Sequence, residues 1–179
     1  VKKNNIKLLS KTSEEWTITL VDTGLNTMTG GRLKRIKKFV EDDPYFFMTY
    51  GDGLADIDLD KLLELHSNNN KLATLTAVHP PARFGSLDIE GDQVIGFVEK
   101  PKGDGSYVNG GFFILSPQVL NLIENDSTVW EQKPLQTLAQ QRQLNAYIHS
   151  GFWQPMDTLR DKNFLDDLWQ KDLAPWKKW

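Results

Sequence analysis

The order of the apolar segments is the feature that most narrows the possible folds. Segments rich in β-branched and aromatic residues, typical of strands, first alternate with amphipathic segments and later follow one another directly. The predicted strands cover residues 15–23, 45–50, 73–79, 80–89, 93–100, 107–115 and 145–150. The predicted helices cover residues 30–40, 59–68, 117–123, 134–143 and about 157–170. This order indicates an α/β protein with a mixed sheet.

Nothing in the sequence divides the chain into separate domains. The 179 residues contain no internal repeat, low-complexity tract or linker, so we expect one domain over residues 1–179. Tryptophans concentrate near the C-terminus, where five of the six follow residue 129. A Trp-rich helical segment from about residue 126 therefore forms either a second small core or a subunit interface.

Composition excludes several classes of protein and site. The chain has no cysteine, which rules out disulfides and thiolate metal sites, and its three histidines are too scattered for a zinc motif. The net charge of −3 argues against a nucleic-acid partner. The basic run "RLKRIKK" carries an apolar stripe at helical spacing, which is typical of a solvated helix face. Arg32 alone follows two glycines, where it could help to bind an anion.

The sequence also bears on location. No apolar run approaches the roughly 18 residues of a membrane span, and the start "VKKNNIKLLSK" lacks the pattern of a secretory leader. We therefore expect no membrane partner and a cytoplasmic location. The first residue is Val1 rather than methionine, so we expect a fragment or a processed piece of a longer protein.

An acidic stretch, "MTYGDGLADIDLD", raises the question of a metal site. It is not an EF-hand, because Lys61 stands at the glycine position of such a loop and Ser67 at that of the bidentate glutamate. Asp58 can N-cap the predicted helix that follows it. Asp52 lies between two glycines at the end of a predicted strand, which suits either an ordinary turn or a ligand-binding group at the sheet edge.

Several phrases together resemble the sugar-1-phosphate nucleotidylyltransferases, most closely the members that use CTP and glucose 1-phosphate. In chain order they are "DTGLNTMTGGRLKR", "YGDGLAD", "PPARFGSLDI", "FVEKPKGDG", "VNGGFFIL", "EQKPLQTLAQQ" and "GFWQPMDTLRD". The resemblance implies a mostly parallel Rossmann-like sheet flanked by helices. It also implies synthesis of CDP-glucose and pyrophosphate, at the entry to dideoxyhexose and surface polysaccharide (O-antigen, lipopolysaccharide) synthesis.

The resemblance assigns a role to particular residues. Asp52 and Asp157 resemble the ligands of a catalytic Mg²⁺, and Lys100 the lysine on the sugar phosphate. The remaining assignments fall into two groups. The sugar pocket would be formed by Gly85, Glu99, Asn109 and Gly110. The nucleotide side would be formed by Thr27, Arg32 and Gly51.

One departure from the family pattern concerns the triphosphate. The family begins with a strand and a loop of the form G-G-x-G-T-R-L, which the 179 residues do not contain. We therefore expect the leading βαβ unit to be missing, apolar sheet edges to be exposed, and the 179 residues alone to be inactive. The alternative is a non-catalytic module that binds sugar phosphate or serves in assembly. In either case we expect a homo-oligomer.

Overall fold

A computed structural model describes residues 16–80, 86–98 and 106–178. Four α-helices and eight strands follow one another along these parts of the chain. The helices are α1 (Thr29–Arg35), α2 (Leu59–Asn69), α3 (Lys133–Gln140) and α4 (Leu159–Gln170). The strands are β1 (Phe46–Thr49), β2 (Gly53–Ala55), β3 (Ala73–Val78), β4 (Ser86–Glu90), β5 (Gln93–Val98), β6 (Val108–Leu115), β7 (Leu144–His149) and β8 (Trp153–Pro155). Short 3₁₀ helices cover Lys37–Phe39 and Pro117–Leu122.

The centre of the molecule is a four-stranded sheet with the order β1-β6-β3-β7. The mixed α/β class is confirmed. The expectation of a mostly parallel sheet is not met in the described residues, since only β3 and β7 run parallel while β6 is antiparallel to both of its neighbours. The antiparallel β6 lies between β1 and β3.

Helices cover both faces of this sheet. The main core lies between one face and α1, α3 and the 3₁₀ helix Pro117–Leu122. Phe113, Leu115, Trp130 and Leu138 are almost completely buried there. On the other face α2 packs against β3, β6 and β7 and buries Leu62. Trp130 thus belongs to the main core.

Capping residues explain where two helices begin. The Asp58 side chain accepts a hydrogen bond from the Lys61 amide, as expected for the N-cap of α2. Thr158 and Asp161 form a reciprocal capping box at the start of α4. Asn70 ends α2 in the left-handed conformation, which asparagine tolerates better than most residues.

One strand prediction, over residues 15–23, needs correction. Residues 16–23 form no strand in the described part of the chain, and Trp16 is 74% exposed. An apolar alternating pattern favours a strand but cannot supply the neighbouring backbone that a strand needs. The segment 45–50 does form β1, yet β1 is an edge strand and Phe47 is 49% exposed. The predicted helix at 117–123 is a 3₁₀ helix.

Two separate two-stranded ribbons complete the fold. β4 and β5 form a hairpin around a turn at Gly91 and Asp92. β2 pairs with β8, which lies about 100 residues further along the chain, and no local sequence pattern indicates this pairing. We call the second of these the β2–β8 ribbon.

Candidate active site

The β2–β8 ribbon brings the two predicted metal-binding segments together. Its register pairs Gly53 with Pro155, and beyond that pair the Met156 amide donates to the Asp52 carbonyl at 2.7 Å. Asp157 is the next residue, so the backbones that carry the two aspartates lie side by side. Both aspartates are exposed. In the described residues no group of three or more His, Asp or Glu side chains could hold a metal, and a metal site at Asp52 and Asp157 stays a prediction.

Asp56 joins the ribbon to the loop before β8. Its Oδ1 accepts a hydrogen bond from the Phe152 amide at 2.7 Å and lies 3.1 Å from His149 Nε2. The Asp56 amide donates in turn to the Phe152 carbonyl at 3.2 Å. Gly151 lies so close that an added Cβ would be 2.7 Å from His149 Cε1. Polar contacts of this kind stabilise the ribbon, which is too short to be stable alone.

The start of α4 follows Asp157 directly. The Thr158 side chain accepts from the Asp161 amide, and Gln154 of β8 donates to Asp161 Oδ1 at 3.1 Å. The helix N-terminus carries partial positive charge, which favours an anionic side chain such as Asp157 beside it. The capping box therefore fixes the chain direction just after Asp157.

Tyr50 precedes the Gly51–Asp52 turn and is held on several sides. Its hydroxyl donates to Glu131 Oε1 at 2.6 Å and accepts from Asn109 Nδ2 at 3.2 Å. Burial raises the pKa of Tyr50, and the hydrogen bond to Glu131 and the charges of Glu131 and Asp52 raise this pKa further. Tyr50 is therefore a neutral donor at physiological pH, and Asp52 is near enough to act on it electrostatically.

Two of the predicted sugar-pocket residues lie at the start of β6. The Asn109 side chain accepts from the Gly111 amide at 2.9 Å in addition to its contact with Tyr50. Gly110 packs against β3, where an added Cβ would lie 3.1 Å from the Thr76 carbonyl oxygen. The Gly110 carbonyl accepts from Trp153 Nε1 at 2.8 Å, which ties β6 to β8. Gly85, Glu99 and Lys100 lie outside the described residues, so their roles stay predictions.

The predicted nucleotide-side residues differ in their surroundings. Thr27 is buried beside Gly31, where an added Cβ would be 2.7 Å from Thr27 Cγ2. The Arg32 guanidinium donates to Thr23 Oγ1 at 2.6 Å and to the Leu25 carbonyl at 3.2 Å, so it holds the preceding loop. Gly51 is exposed and has open space around its Cα.

Some residues that shape the site were not predicted as part of it. Asp56, Tyr50 and Glu131 each act through a partner 81 residues or more away in sequence. The sequence signal for Glu131 is its place at the start of the phrase "EQKPLQTLAQQ". Such a signal identifies no partner.

Comparison with known proteins decides the family. A family model described as nucleotidyl transferase matches residues 4–161. This chain belongs to the nucleotidyl transferase family.

Named relatives of this nucleotidyl transferase are similar over almost its whole length. It is 58% identical over 177 residues to "Glucose-1-phosphate cytidylyltransferase" of Salmonella typhi, and equally similar to the protein of that name in Salmonella typhimurium. The match covers 99% of this chain and 69% of each relative. Among solved structures, HddC from Yersinia pseudotuberculosis superposes with a TM-score of 0.59 at 22% identity, which supports the fold. The superposition covers 81% of this chain and 64% of the HddC chain.

Among the described residues no helix of this nucleotidyl transferase has the length and apolar character needed to cross a membrane.

Proposed function

We propose that this chain forms the metal and sugar-phosphate part of an enzyme that transfers a cytidylyl group from CTP to α-D-glucose 1-phosphate. The products are CDP-glucose and pyrophosphate. The observation that carries this proposal is the β2–β8 ribbon, which pairs the segments of Asp52 and Asp157 in a chain 58% identical to named cytidylyltransferases.

The reaction requires positioning more than proton transfer. A sugar phosphate has a second pKa of about 6, so it is mostly dianionic at neutral pH and can attack the α-phosphorus of CTP without a general base. The remaining requirement is to hold two polyanions in line and to neutralise the charge on the transferred phosphoryl group. Fixed carboxylates, amides and cations therefore suffice for catalysis.

Asp52 and Asp157 suit Mg²⁺ as a cofactor. Both offer hard carboxylate oxygens at the exposed end of one ribbon, and Mg²⁺ commonly binds through one or two carboxylates and keeps several waters. When bound there, Mg²⁺ would neutralise phosphate charge and orient the phosphates. Asp56 and the α4 capping box would keep the two carboxylate-bearing segments at a fixed spacing.

The other predicted residues would complete the substrate contacts. Lys100 would bind the phosphate of glucose 1-phosphate and Glu99 its sugar hydroxyls. The pocket floor would come from Gly85, Asn109 and Gly110, and the nucleotide side from Thr27, Arg32 and Gly51. The Asn109 amide and the Arg32 guanidinium already have protein partners, so ligand binding by either group requires it to share or exchange a hydrogen bond.

We further propose that the 179 residues alone do not turn over. A triphosphate needs backbone amides to hold it in line, and the glycine-rich loop that supplies them in the family is not among the 179 residues. Loss of that alignment forfeits a proximity effect worth up to roughly 7–11 kcal/mol in favourable cases. We also propose that the enzyme is a homo-oligomer in the cytoplasm. Its product, CDP-glucose, would be used for dideoxyhexose and surface polysaccharide synthesis.

The test follows pyrophosphate release from CTP, Mg²⁺ and glucose 1-phosphate. Two proteins are compared: the 179-residue chain, and a fusion that adds the N-terminal part of the Salmonella typhi relative. We expect turnover by the fusion only, and a loss of at least about 100-fold when Asp52→Asn or Asp157→Asn is introduced into it. Equal turnover by the chain alone would show that the loop is dispensable. Sugar-phosphate binding without turnover by the fusion would support the non-catalytic alternative.

A further inference from the structure

Glu131 joins two distant parts of the chain through one carboxylate. Its Oε1 accepts from the Tyr50 hydroxyl at 2.6 Å and its Oε2 accepts from the Thr29 hydroxyl at 2.7 Å. These partners lie 81 and 102 residues away in sequence. Because both oxygens accept, the contacts fit an ionised carboxylate, which offers acceptors only.

Each donor to Glu131 is itself held by a further hydrogen bond. Thr29 Oγ1 accepts from the Trp130 amide at 2.9 Å. The Tyr50 hydroxyl accepts from Asn109 Nδ2 at 3.2 Å, and Asn109 Oδ1 accepts from the Gly111 amide at 2.9 Å. We call this connected set the Glu131 network. Every hydrogen in it is directed toward Glu131, so its polarity is fixed.

Packing fixes the Tyr50 ring as well as its hydroxyl. Gly111 has a φ of +80° and leaves no room for a side chain, since an added Cβ would lie 2.6 Å from Tyr50 Cδ2. The ring also meets Phe113 edge to face, with centroids 5.9 Å apart. Gly51, which follows, has open space around it. Tyr50 is therefore the last tightly packed residue before Asp52. The position of Tyr50 determines the position of the backbone that leads to Asp52.

The Glu131 network reaches all three groups of predicted ligand-binding residues. Thr29 is the first residue of α1, near the nucleotide-side residues Thr27 and Arg32. Tyr50 precedes the metal-side turn, and Asn109 belongs to the sugar side. Pairing of β1 with β6, which the Tyr50 amide continues by donating to the Gly111 carbonyl at 3.1 Å, already joins the last two segments. The hydrogen bonds of Glu131 to Tyr50 and Thr29 add a side-chain link between these two segments and α1.

The charge of Glu131 is not neutralised by a basic side chain in the described residues. Within the described parts of the chain its hydrogen-bond partners are the Thr29 and Tyr50 hydroxyls. Glutamine has the same shape, but its NH₂ group would face one of those donors, which removes a hydrogen bond. Both the shape and the charge of Glu131 therefore matter to the contacts.

We propose that Glu131 is a positioning residue, acting through Tyr50, that sets the Gly51–Asp52 turn against α1. Its carboxylate touches these protein segments rather than a substrate. The metal and glucose 1-phosphate used as probes below rest on the proposed function.

The test uses the ¹⁵N-labelled 179-residue chain and needs no turnover. Variants are Glu131→Gln, Tyr50→Phe and the double variant, with Glu124→Gln as the matched control. Glu124 lies seven residues away in an exposed ion pair with Lys133, so its replacement also removes one negative charge. We expect Glu131→Gln and Tyr50→Phe to shift the amide signals of Gly51, Asp52 and Asn109, while Glu124→Gln leaves them unchanged.

Ligand binding separates positioning from general stability. At a temperature where every variant is folded, we expect Mn²⁺ alone, and glucose 1-phosphate with Mg²⁺, to bind about tenfold more weakly to Glu131→Gln. If Glu131 acts through Tyr50, the double variant should bind no more weakly than the weaker single variant. The proposal would be overturned if the loss of affinity in the double variant equalled the product of the two single losses. Unchanged amide signals of Asp52 and Asn109 in Glu131→Gln would also overturn it.

The experiment distinguishes failure of the proposed function from failure of the role proposed for Glu131. A wild-type chain that binds neither probe would count against the metal and sugar-phosphate sites, whereas the amide signals would still decide whether Glu131 positions the turn. If Glu131→Gln does not fold, Tyr50→Phe decides alone, because it removes only the hydroxyl and keeps the buried ring. Unchanged Asp52 and Asn109 signals in Tyr50→Phe would then overturn the proposal.

Discussion

The central sheet and the β2–β8 ribbon are stabilised in different ways. The sheet buries Phe113, Leu115 and the neighbouring Trp130 almost completely, so its stability comes mainly from apolar burial. The ribbon has three residues in each strand, all half-buried, and is held by the polar contacts of Asp56 and Asp161. The predicted metal ligands lie on the ribbon. The comparison indicates that the sheet supplies stability while the ribbon supplies a precise but less stable placement of ligands.

The largest effect should come from the sheet. Phe113→Ala removes a ring that is 1% exposed and contacts Trp130, so we expect a loss of about 3–5 kcal/mol in the free energy of unfolding, measured by denaturant titration. Phe47→Ala in β1 is the matched control. Since Phe47 is half exposed, its loss should be clearly smaller, and equal losses would contradict the role given to burial.

A smaller effect should come from crowding in the ribbon. The Cβ of Gly151→Ala would meet Asp56 Oδ1 and the His149 ring, so we expect a loss of roughly 1–3 kcal/mol in denaturant titration. Gly53→Ala, in the same ribbon, has nothing within 4 Å of the added Cβ and should change stability little. Stability losses in the opposite order would show that the Asp56 contacts do not hold the ribbon.

The smallest of the stability effects should be a dependence of the free energy of unfolding on pH that comes from His66. His66 lies on the buried face of α2 with Nδ1 2.9 Å from Thr74 Oγ1, and burial lowers its pKa. The unfolded chain, with a histidine pKa of about 6.5, therefore binds more protons than the folded chain. His66 thus contributes stability that is complete above that pH and is lost as pH falls toward its folded pKa.

Denaturant titrations between pH 7.5 and 5.5 measure this contribution. We expect His66→Gln to reduce the dependence of stability on pH, while the exposed His79→Gln keeps the wild-type dependence. Some carboxylates have a pKa lowered by hydrogen bonds, from the Lys61 backbone amide to Asp58 and from basic side chains to Glu124, Asp126 and Asp172, and they lose their contribution only at lower pH. An unchanged pH dependence in His66→Gln would contradict the assignment.

Local patterns predicted the parts of the fold that depend on neighbouring residues. The helix predicted over residues 59–68 and its N-cap Asp58 are confirmed as α2. The segment 15–23 was wrongly predicted as a strand, because a strand also depends on a partner that local pattern does not reveal. The β2–β8 ribbon was missed for the same reason, since its strands are three residues long and far apart in sequence.

The candidate site shows the same difference between what local sequence predicts and what depends on distant residues. Asp52 and Asp157 could be proposed from motifs, because each occurs in a distinctive phrase. Asp56 and Glu131 also occur in such phrases, but their role in holding these segments could not be predicted, because their hydrogen-bond partners lie elsewhere in the chain. Roles for Gly85, Glu99 and Lys100 stay predictions.

Mn²⁺ binding to the ribbon tests the central claim most directly. Mn²⁺ is paramagnetic and resembles Mg²⁺ in its preference for oxygen ligands, so it should broaden the amide signals nearest the site in the ¹⁵N-labelled chain. We predict broadening around Asp52 and Asp157 together, and its loss in both Asp52→Asn and Asp157→Asn. Broadening centred elsewhere, or broadening that persists at Asp52 in the Asp157→Asn chain with unchanged affinity, would contradict a shared metal site on the β2–β8 ribbon.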